Sequence, residues 1–459
     1  MAPGRAAAGT KPFRYCEESS PAWDPVAYIA DSELHERAAA FLAKDDFASA
    51  VAVSFNLPPR DAYVYHAIVS VTLAQVQHAI GMGGANGLHT WYRDLTPPPP
   101  SENDNDNGAA ATTTEETPQR PKAAKALGKP AAPPPRPDID TYLSIFSPTT
   151  ATPNILKTFA LNAKKNSLRA SIASHLLAKR YLHPALPALQ VPRLKKLPSP
   201  LAPYNPYLDF LAWACRNLEW AGPSPESEAV RSAHHVLPVL MHHFGCVCPS
   251  HEALAILKHV ADGRDILDVG SGNGYWSFML RQYCSSSPDS TTATSKSKKS
   301  PATEPTREQK IIPIDNAQSA WRATWVPDTL IADGATYLRK HPETKDAVLL
   351  LVYPIVGGGV AGGAEGGFTR GLLEAYQGDT LAVAGTQNHN GYTGFRDRAM
   401  DEFMAREAPD WVKVAQVPLP SFPGKDEALF VFQRGARAPP KDEGGGGGGN
   451  GTVEQPSAA

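Results

Sequence analysis

The stretch DILDVGSGNGYWSFMLRQY, residues 265–283, restricts the fold of this chain more than any other segment. It begins with a short apolar run that carries one acidic residue, Asp268, and such a run is typical of a buried parallel strand. Gly270, Gly272 and Gly274 follow at alternate positions, and the apolar residues after them have the spacing of a helix. A strand, a glycine turn and a helix open a βαβ unit, and open α/β sheets bind ligands at such turns.

The spacing of the three glycines indicates which ligand the turn binds. A dinucleotide-binding turn has the pattern G-x-G-x-x-G or G-x-G-x-x-A. Here the third glycine comes one position early, and Tyr275 stands where that pattern has glycine or alanine. The sequence Asp268-x-Gly270-x-Gly272-x-Gly274 resembles instead the first motif of class I S-adenosylmethionine (SAM)-dependent methyltransferases.

The resemblance covers about residues 250–434, which is under half of the chain. Within the family, the segments GSGNGYW and PLPSFPGKD are most similar to uncharacterised methyltransferase-domain proteins of filamentous fungi. The resemblance implies S-adenosyl-L-methionine as the cofactor, with its methionyl part over the three glycines of the turn. It also implies that Asp268 either orients this loop or receives the ammonium group of the cofactor.

The same resemblance matches two further carboxylates to the cofactor. Asp315, at the end of the second predicted strand, is assigned to the ribose hydroxyls, although a polar insertion at residues 285–308 precedes it. Asp333, after the third predicted strand, is assigned to the adenine amine. Each of the two could instead be a carboxylate that ends a strand or caps a helix.

Three residues are candidates for the catalytic end of the site. Methyl transfer by in-line displacement depends mainly on positioning, and a base is needed only where the acceptor loses a proton. Tyr353, Asn388 and His389 lie on loops that are predicted to face the methyl group. His389 is the candidate base because histidine titrates near neutral pH, and the alternative is an exposed loop histidine. The pair Tyr353-Pro354 lacks the Asn/Asp-Pro-Pro-aromatic signature of exocyclic base-amine methylation, so that subclass is disfavoured.

The pattern after residue 250 alternates between strands and helices and ends in two adjacent strands. We therefore predict an α/β fold with a doubly wound, mostly parallel sheet of seven strands, of which the last is antiparallel. An all-helical N-terminal region is predicted to precede it, with one helix over 65–76, and a further helix is predicted over 317–325. The predicted strands are 266–269, 310–314, 329–332, 347–352, 380–384, 411–417 and 428–433.

Composition divides the chain into six segments, because Pro-, Gly- and Ser-rich stretches bury too little apolar surface to order themselves. The predicted segments are disordered residues 1–20, a helical region 21–95, a disordered linker 96–137, a helical region 138–249, a SAM-binding methyltransferase domain 250–435 with a disordered insertion at 285–308, and a disordered tail 436–459.

Charge and cysteine content limit the class of protein. The chain has 44 basic and 46 acidic residues, so its net charge indicates no particular partner. Its five cysteines are odd in number and mostly far apart, which favours a reducing compartment over a disulfide framework. No apolar run is long enough to span a bilayer. We therefore predict an intracellular protein, cytoplasmic or nuclear, with no membrane partner.

The methyl acceptor stays open between protein, RNA and small molecule. Residues 141–208 contain no acidic residue and nine lysines and arginines, which form either a nucleic-acid surface or a solvated basic face. An RNA methyltransferase and a non-catalytic interaction protein of the same fold are therefore the alternatives. No metal site is predicted, because the spacing of five clustered His and Cys residues differs from that of zinc ligands. The five are His242, His243, Cys246, Cys248 and His251.

Overall fold

The computed structural model of the chain describes most of the predicted ordered segments. The described residues are 13–17, 20, 22–67, 70–83, 91–94, 129–148, 152–191, 204–230, 235–285, 309–354, 366–390, 393 and 398–440. The segments predicted to be disordered lie largely outside them.

Several helices start where a short polar side chain caps the backbone. Asp31, Ser167 and Ser250, for example, each accept a backbone N–H from the residue three positions later, which satisfies one of the free donors at a helix start. The helices of the described residues are α1 Pro25–Ala30, α2 Ser32–Leu42, α3 Phe47–Ser54, α4 Leu73–Gly83, α5 Arg136–Ser144, α6 Thr152–Leu161, α7 Leu168–Lys179, α8 Pro206–Asn217, α9 Leu237–Phe244, α10 His251–Ala261, α11 Tyr275–Ser285, α12 Gly334–Lys340, α13 Gly367–Ala375 and α14 Met400–Glu407. In this part of the chain, no helix has both the length and the apolarity that crossing a bilayer demands.

Most strands of the main sheet are short apolar runs, as buried strands usually are. The strands of the described residues are β1 Val64–His66, β2 Ser70–Thr72, β3 Arg93–Asp94, β4 Lys129–Pro130, β5 Tyr181–Leu182, β6 Ile266–Val269, β7 Ile311–Asp315, β8 Leu330–Ile331, β9 Val348–Val352, β10 Thr380–Thr386, β11 Val412–Pro418 and β12 Glu427–Gln433.

The main sheet has the strand order β5-β11-β12-β10-β9-β6-β7-β8. Strands β10, β9, β6, β7 and β8 are parallel neighbours, whereas β12 is antiparallel to both β10 and β11. The predicted α/β fold with a mostly parallel sheet is confirmed. The predicted number of seven strands is too low, because Tyr181–Leu182 adds an eighth strand at one edge, antiparallel to β11.

Both faces of the sheet are covered. One face packs against α12, α13 and α14 through residues such as Leu349 and Phe430. The opposite face shares one continuous core with the N-terminal helices, in which the indole rings of Trp23 and Trp325 meet edge to face at 5.4 Å. The N-terminal region therefore packs directly onto the sheet, which a marginally small helical unit needs for stability.

Two predictions of helix are wrong. Residues 65–76 do not form one helix, because β1 and β2 pair antiparallel there and α4 begins only at Leu73. The N-terminal region is not all-helical, because β1, β2 and β3 lie in the predicted helical segment 21–95 and β5 lies in the segment 138–249. Residues 317–325 are not helical either. Ala317 has φ 55°, and backbone groups of Arg322 and Thr324 form hydrogen bonds with the N-terminal region and not with other residues of the segment.

Candidate functional site

The glycine turn between β6 and α11 has a backbone that only glycine adopts without strain. Gly270, Gly272 and Gly274 have φ of 77°, 57° and 78°. A Cβ at Gly274 would lie 2.3 Å from Cγ2 of Val326, and a Cβ at Gly272 would lie 3.0 Å from Cζ2 of Trp321. The turn is therefore closely covered on one side by the segment that follows β7.

Asp315 lies against this turn. Backbone N–H groups of Gly270 and Ser271 donate to the carbonyl of Ile314 at 2.8 and 3.1 Å. The N–H of Gly272 donates to Oδ2 of Asp315 at 2.9 Å. The structure thus brings together the turn and the carboxylate predicted to bind ribose, and it confirms that the second strand ends at Asp315.

Asp268 is fully buried beneath the turn. Its Oδ2 accepts from Oγ of Ser277 at 2.8 Å, while its Oδ1 has no partner among the described residues. Burial raises the pKa of Asp268 to about 7, and the nearby charge of Asp315 adds to the rise. In the same part of the chain, Oγ of Ser271 and Nδ2 of Asn273 are also buried without a partner. Buried polar atoms are nearly always paired, so these three are atoms that a bound water or a polar ligand could satisfy.

Asp333 is exposed at the start of α12. Its Oδ1 accepts from the N–H of Thr336 at 2.8 Å, and the hydrogen bonds from Thr336 lower the pKa of the carboxyl group. These contacts make it the N-cap of α12, which was one of its two predicted roles. Its contact with adenine stays a prediction.

The segment after β7 is held over the turn by the N-terminal region. The carbonyl of His242 accepts from the N–H of Arg322 at 3.1 Å, and the N–H of Thr324 donates to the carbonyl of Tyr15 at 2.7 Å. These bonds replace the predicted helix. They place Trp321 beside Gly272.

Arg322 anchors this covering segment. Its side chain is fully buried, Nη2 donates to Oδ1 of Asp61 at 2.9 Å, and Nη1 donates to the carbonyl of Glu17. The guanidinium lies 4.8 Å from the ring centre of Tyr63. This residue could not be singled out from the sequence, because a lone arginine in a segment predicted to be helical gives no sign of a partner about 260 residues away.

Tyr353 directly follows β9 and has an unusual backbone conformation. Its φ is 53°, which is costly for a residue with a bulky side chain and is often found at functional sites. Its N–H donates to the carbonyl of Ala384 at 2.7 Å, and its hydroxyl accepts from Nζ of Lys425 at 3.0 Å. The predicted catalytic tyrosine therefore lies at the sheet edge where parallel strands end.

Lys425 and Glu427 form a buried charged cluster at the same edge, with only 6% and 4% of their surfaces exposed. Burial lowers the pKa of Lys425 and raises that of Glu427, although the opposite charges of the two groups counteract each shift. The charges of both groups also act on the thiol of Cys246, whose pKa burial raises to about 12. Sequence reasoning missed this cluster, because PGKDE reads as a polar turn.

Asp426, between these two residues, fixes the cluster in place. Its Oδ2 accepts from Nε2 of His175 and from Nζ of Lys179, both at 2.7 Å, and its Oδ1 accepts from Nε2 of Gln387 at 2.9 Å. Burial would raise its pKa, but the hydrogen bond from His175 and the charge of Lys179 lower it. The segment from 425 to 427 is therefore tied to α7 and to the loop after β10.

Asn388 and His389 lie on this loop but in different surroundings. Asn388 is buried, and its Oδ1 accepts from the N–H of Asn390 at 3.3 Å. The side chain of His389 is 47% exposed, with Nε2 at 2.9 Å from Glu402 and its N–H bonded to Glu228 at 2.8 Å. Both residues line a cavity of about 490 Å³ that also contacts α7. Within the described contacts, His389 meets surface carboxylates and neither Tyr353 nor the glycine turn.

The clustered histidines near α9 have structural partners. Nδ1 of His242 lies 3.1 Å from the hydroxyl of Tyr63, and its Nε2 lies 2.8 Å from the carbonyl of His66. Nε2 of His243 lies 3.0 Å from the hydroxyl of Tyr65. Among the residues that the structure describes, no group of three or more His, Cys, Asp or Glu side chains could hold a metal ion.

The basic residues between 141 and 208 do not share one role. Arg169 pairs with Asp138, while Lys179 and Arg180 pair with the buried carboxylates of Asp426 and Glu252. Three more are exposed, namely Lys157, Lys164 and Lys165. The last three lie outside the described residues, namely Arg193, Lys195 and Lys196. Only part of this segment is thus available for an anionic partner.

No protein-family profile matches this sequence, and a comparison with curated proteins finds no match.

Proposed function

We propose that the chain is a SAM-dependent methyltransferase. The observation that carries the proposal is the glycine turn itself, hydrogen-bonded to Asp315 on the next parallel strand and lying over the buried carboxylate of Asp268. The antiparallel β12 between β10 and β11 also agrees with the terminal hairpin that the family resemblance implies. A dinucleotide is disfavoured by the spacing of the three glycines.

The orphan atoms at the turn fit the methionyl end of SAM. Oδ1 of Asp268 can accept from an ammonium, while Nδ2 of Asn273 and Oγ of Ser271 can donate to a carboxylate. Asp315 would hold the ribose hydroxyls, and Asp333 would accept from the adenine amine. When bound, SAM supplies an electrophilic methyl group on a sulfonium. The chain's own task is to bind, orient and exclude water.

Calorimetric titration with SAM tests the proposal directly. Binding with a Kd in the micromolar range is expected, and transfer of labelled methyl into fractionated cell extract then separates an enzyme from a non-catalytic SAM-binding protein. Failure of the full chain to bind SAM would overturn the proposal. Methylation of RNA is not put forward as a second function, because several basic side chains of 141–208 are used in internal ion pairs.

Replacement of Asp315 by alanine is expected to weaken SAM binding by about 1.5–3 kcal/mol, the range for hydrogen bonds to charged groups. This corresponds to a roughly 10- to 150-fold higher Kd. The loss includes the support that Asp315 gives to the N–H of Gly272. Asp328→Ala is the matched control, because this exposed carboxylate pairs with Arg281 on the surface.

Deletion of residues 286–306 is expected to leave SAM affinity unchanged in the same titration, since the length of a connecting segment changes its closure entropy only slightly. Affinity lost on deletion but kept in Asp315→Ala would show that the insertion supplies the contact instead.

SAM affinity is expected to fall as the pH drops below about 7, by up to about tenfold per pH unit. Burial raises the pKa of Asp268 to about 7, and the ammonium of SAM binds its ionised form. The stability of the fold depends on pH in the opposite direction. Because the pKa of Asp268 is higher in the folded state, its stabilising contribution is fully present below the unfolded pKa and is lost as the pH rises through about 7. Calorimetry between pH 5.5 and 8 should show the fall in wild type and a flat profile in Asp268→Asn. A flat wild-type profile would remove Asp268 from the ammonium site.

A further inference from the structure

The loop between α9 and α10 connects the glycine turn with the buried charged cluster of Lys425 and Glu427. A Cβ at Gly245 would lie 3.3 Å from Oδ1 of Asn273, which belongs to the turn. Cys246 follows directly, and its thiol interacts electrostatically with Lys425 and Glu427. The loop between α9 and α10 thus spans from the cofactor turn to the cluster, so that the two lie on one side of the molecule.

The cluster lies at the carboxyl ends of the parallel strands, where the glycine turn also lies. Strand β9 is the parallel neighbour of β6, which leads into the turn, and Tyr353 follows β9. Glu427 pairs with Thr386, the last residue of β10. Neighbouring strands are about 4.8 Å apart, and the carboxyl ends of parallel strands are where open sheets bind ligands. Tyr353 therefore lies one strand spacing from the turn, and Glu427 lies three spacings, or about 14 Å, from it.

Burial of Lys425 and Glu427 costs free energy, because both charged groups lose their hydration. A buried lysine and glutamate lose hydration that their mutual attraction repays only in part. Burial lowers the pKa of Lys425 and raises that of Glu427, with Asp426 and Cys246 as the other titratable groups that act on them. The adjoining Tyr353 keeps a strained backbone. Buried, shifted groups beside a strained residue cluster at functional sites.

We infer that Glu427 and Lys425 form the acceptor end of the methyltransferase site, where Glu427 takes the proton of an oxygen nucleophile that Lys425 attracts. The inference rests on the proposed function and assigns its acceptor to the hydroxyl or carboxyl class. The ammonium of Lys425, bonded to the hydroxyl of Tyr353 at 3.0 Å, favours an oxyanion and repels a cationic amine.

The step balances without a further reactant. For a hydroxyl acceptor, the O–H bond breaks and the proton passes to the carboxylate of Glu427. The acceptor oxygen forms a bond to the methyl carbon, and the carbon–sulfur bond breaks with its electron pair left on sulfur, giving S-adenosylhomocysteine. A carboxylate acceptor needs no proton transfer. Lys425 stabilises the negative charge on the acceptor oxygen before it is methylated.

The experiment measures SAM affinity and methyl transfer separately for Glu427→Gln, Lys425→Met and Tyr353→Phe in the full chain. SAM carrying a labelled methyl group is incubated with fractionated cell extract, and the label is sorted into ester, ether and amine products by its lability to alkali and by mass. Glu343→Gln is the matched control, because Glu343 is exposed and pairs with His341 on the surface. Thermal unfolding confirms that each variant is folded.

The expected result is unchanged SAM affinity in all variants, a roughly 100-fold or greater loss of transfer in Glu427→Gln, and label on oxygen. Tyr353→Phe, which keeps the ring, should also reduce transfer. This second variant tests the inference even if Glu427→Gln fails to fold. Transfer at the wild-type rate in these variants, label on nitrogen, or SAM binding with no transfer to any fraction would each overturn the inference. Absence of SAM binding in wild type would overturn the proposed function itself and this inference with it.

Discussion

Gly272→Val is expected to abolish SAM binding, with a loss of at least about 100-fold, while the chain stays folded. Gly272 has φ 57°, and its added Cβ would lie 3.0 Å from the ring of Trp321. A β-branched side chain is stiff and strongly disfavours this conformation, so the N–H that Gly272 donates to Asp315 would shift. Calorimetry with SAM and thermal unfolding of the purified variant check both parts of the expectation.

The control for backbone strain is Gly435→Val. Gly435 has a similar φ of 62°, and a Cβ there meets nothing within 4 Å. The control should therefore lose stability through strain alone and keep its SAM affinity. Equal affinity in the two variants would place the cofactor elsewhere.

The central strands could be predicted because their residues are buried on both faces. VLLLV is a continuous apolar run and ILDV is an apolar run with one acidic residue, and the structure places them in β9 and β6. Strand β7 contains Pro313, which has no N–H to donate, and the strand pairing explains why it is tolerated. Strand β8 pairs only with Ile314 and Asp315, so the missing N–H of Pro313 falls beside the part of β7 that β8 does not reach.

The covering segment could not be predicted because its conformation is decided by distant contacts. Residues 317–325 have apolar spacing that suits a helix, yet Arg322 and Thr324 bond to the N-terminus and to α9. The same holds for the segment around Tyr65, whose ring is buried beside His243. Local propensity is a weak guide where tertiary contacts satisfy the backbone.

Only part of the candidate site could be predicted, because local motifs show in the sequence and contacts between distant residues do not. Its proposed cofactor side was predicted from the glycine motif, which contains Asp268, and from the strand end at Asp315, and the structure brings the turn and Asp315 together. The acceptor side that we infer combines Tyr353 with a turn about 70 residues later, where Lys425 and Glu427 form no recognisable motif. His389 was favoured because of its residue type, whereas its position in the structure is on the surface between two carboxylates.

Asp61→Leu is expected to destabilise the fold by about 3–5 kcal/mol and to weaken SAM binding. Asp61 is 9% exposed, and it supplies a carboxylate to the fully buried guanidinium of Arg322. Removing one partner of a buried ion pair leaves a charge without compensation. SAM affinity should fall as well, because Arg322 anchors the segment that places Trp321 over the glycine turn.

The double variant Asp61→Leu with Arg322→Met separates charge from packing. Replacing both members of a buried pair by apolar residues is often close to neutral, so the double variant should recover most of the stability. The backbone bonds of the covering segment, from Glu17 to Arg322 and from Thr324 to Tyr15, do not depend on these side chains. Urea unfolding and SAM calorimetry on the two variants measure both effects. Asp328→Leu, which breaks an exposed pair, should cost less than about 1 kcal/mol of stability. An equally small cost in Asp61→Leu would show that the N-terminal region does not depend on this buried pair for its hold on the glycine turn.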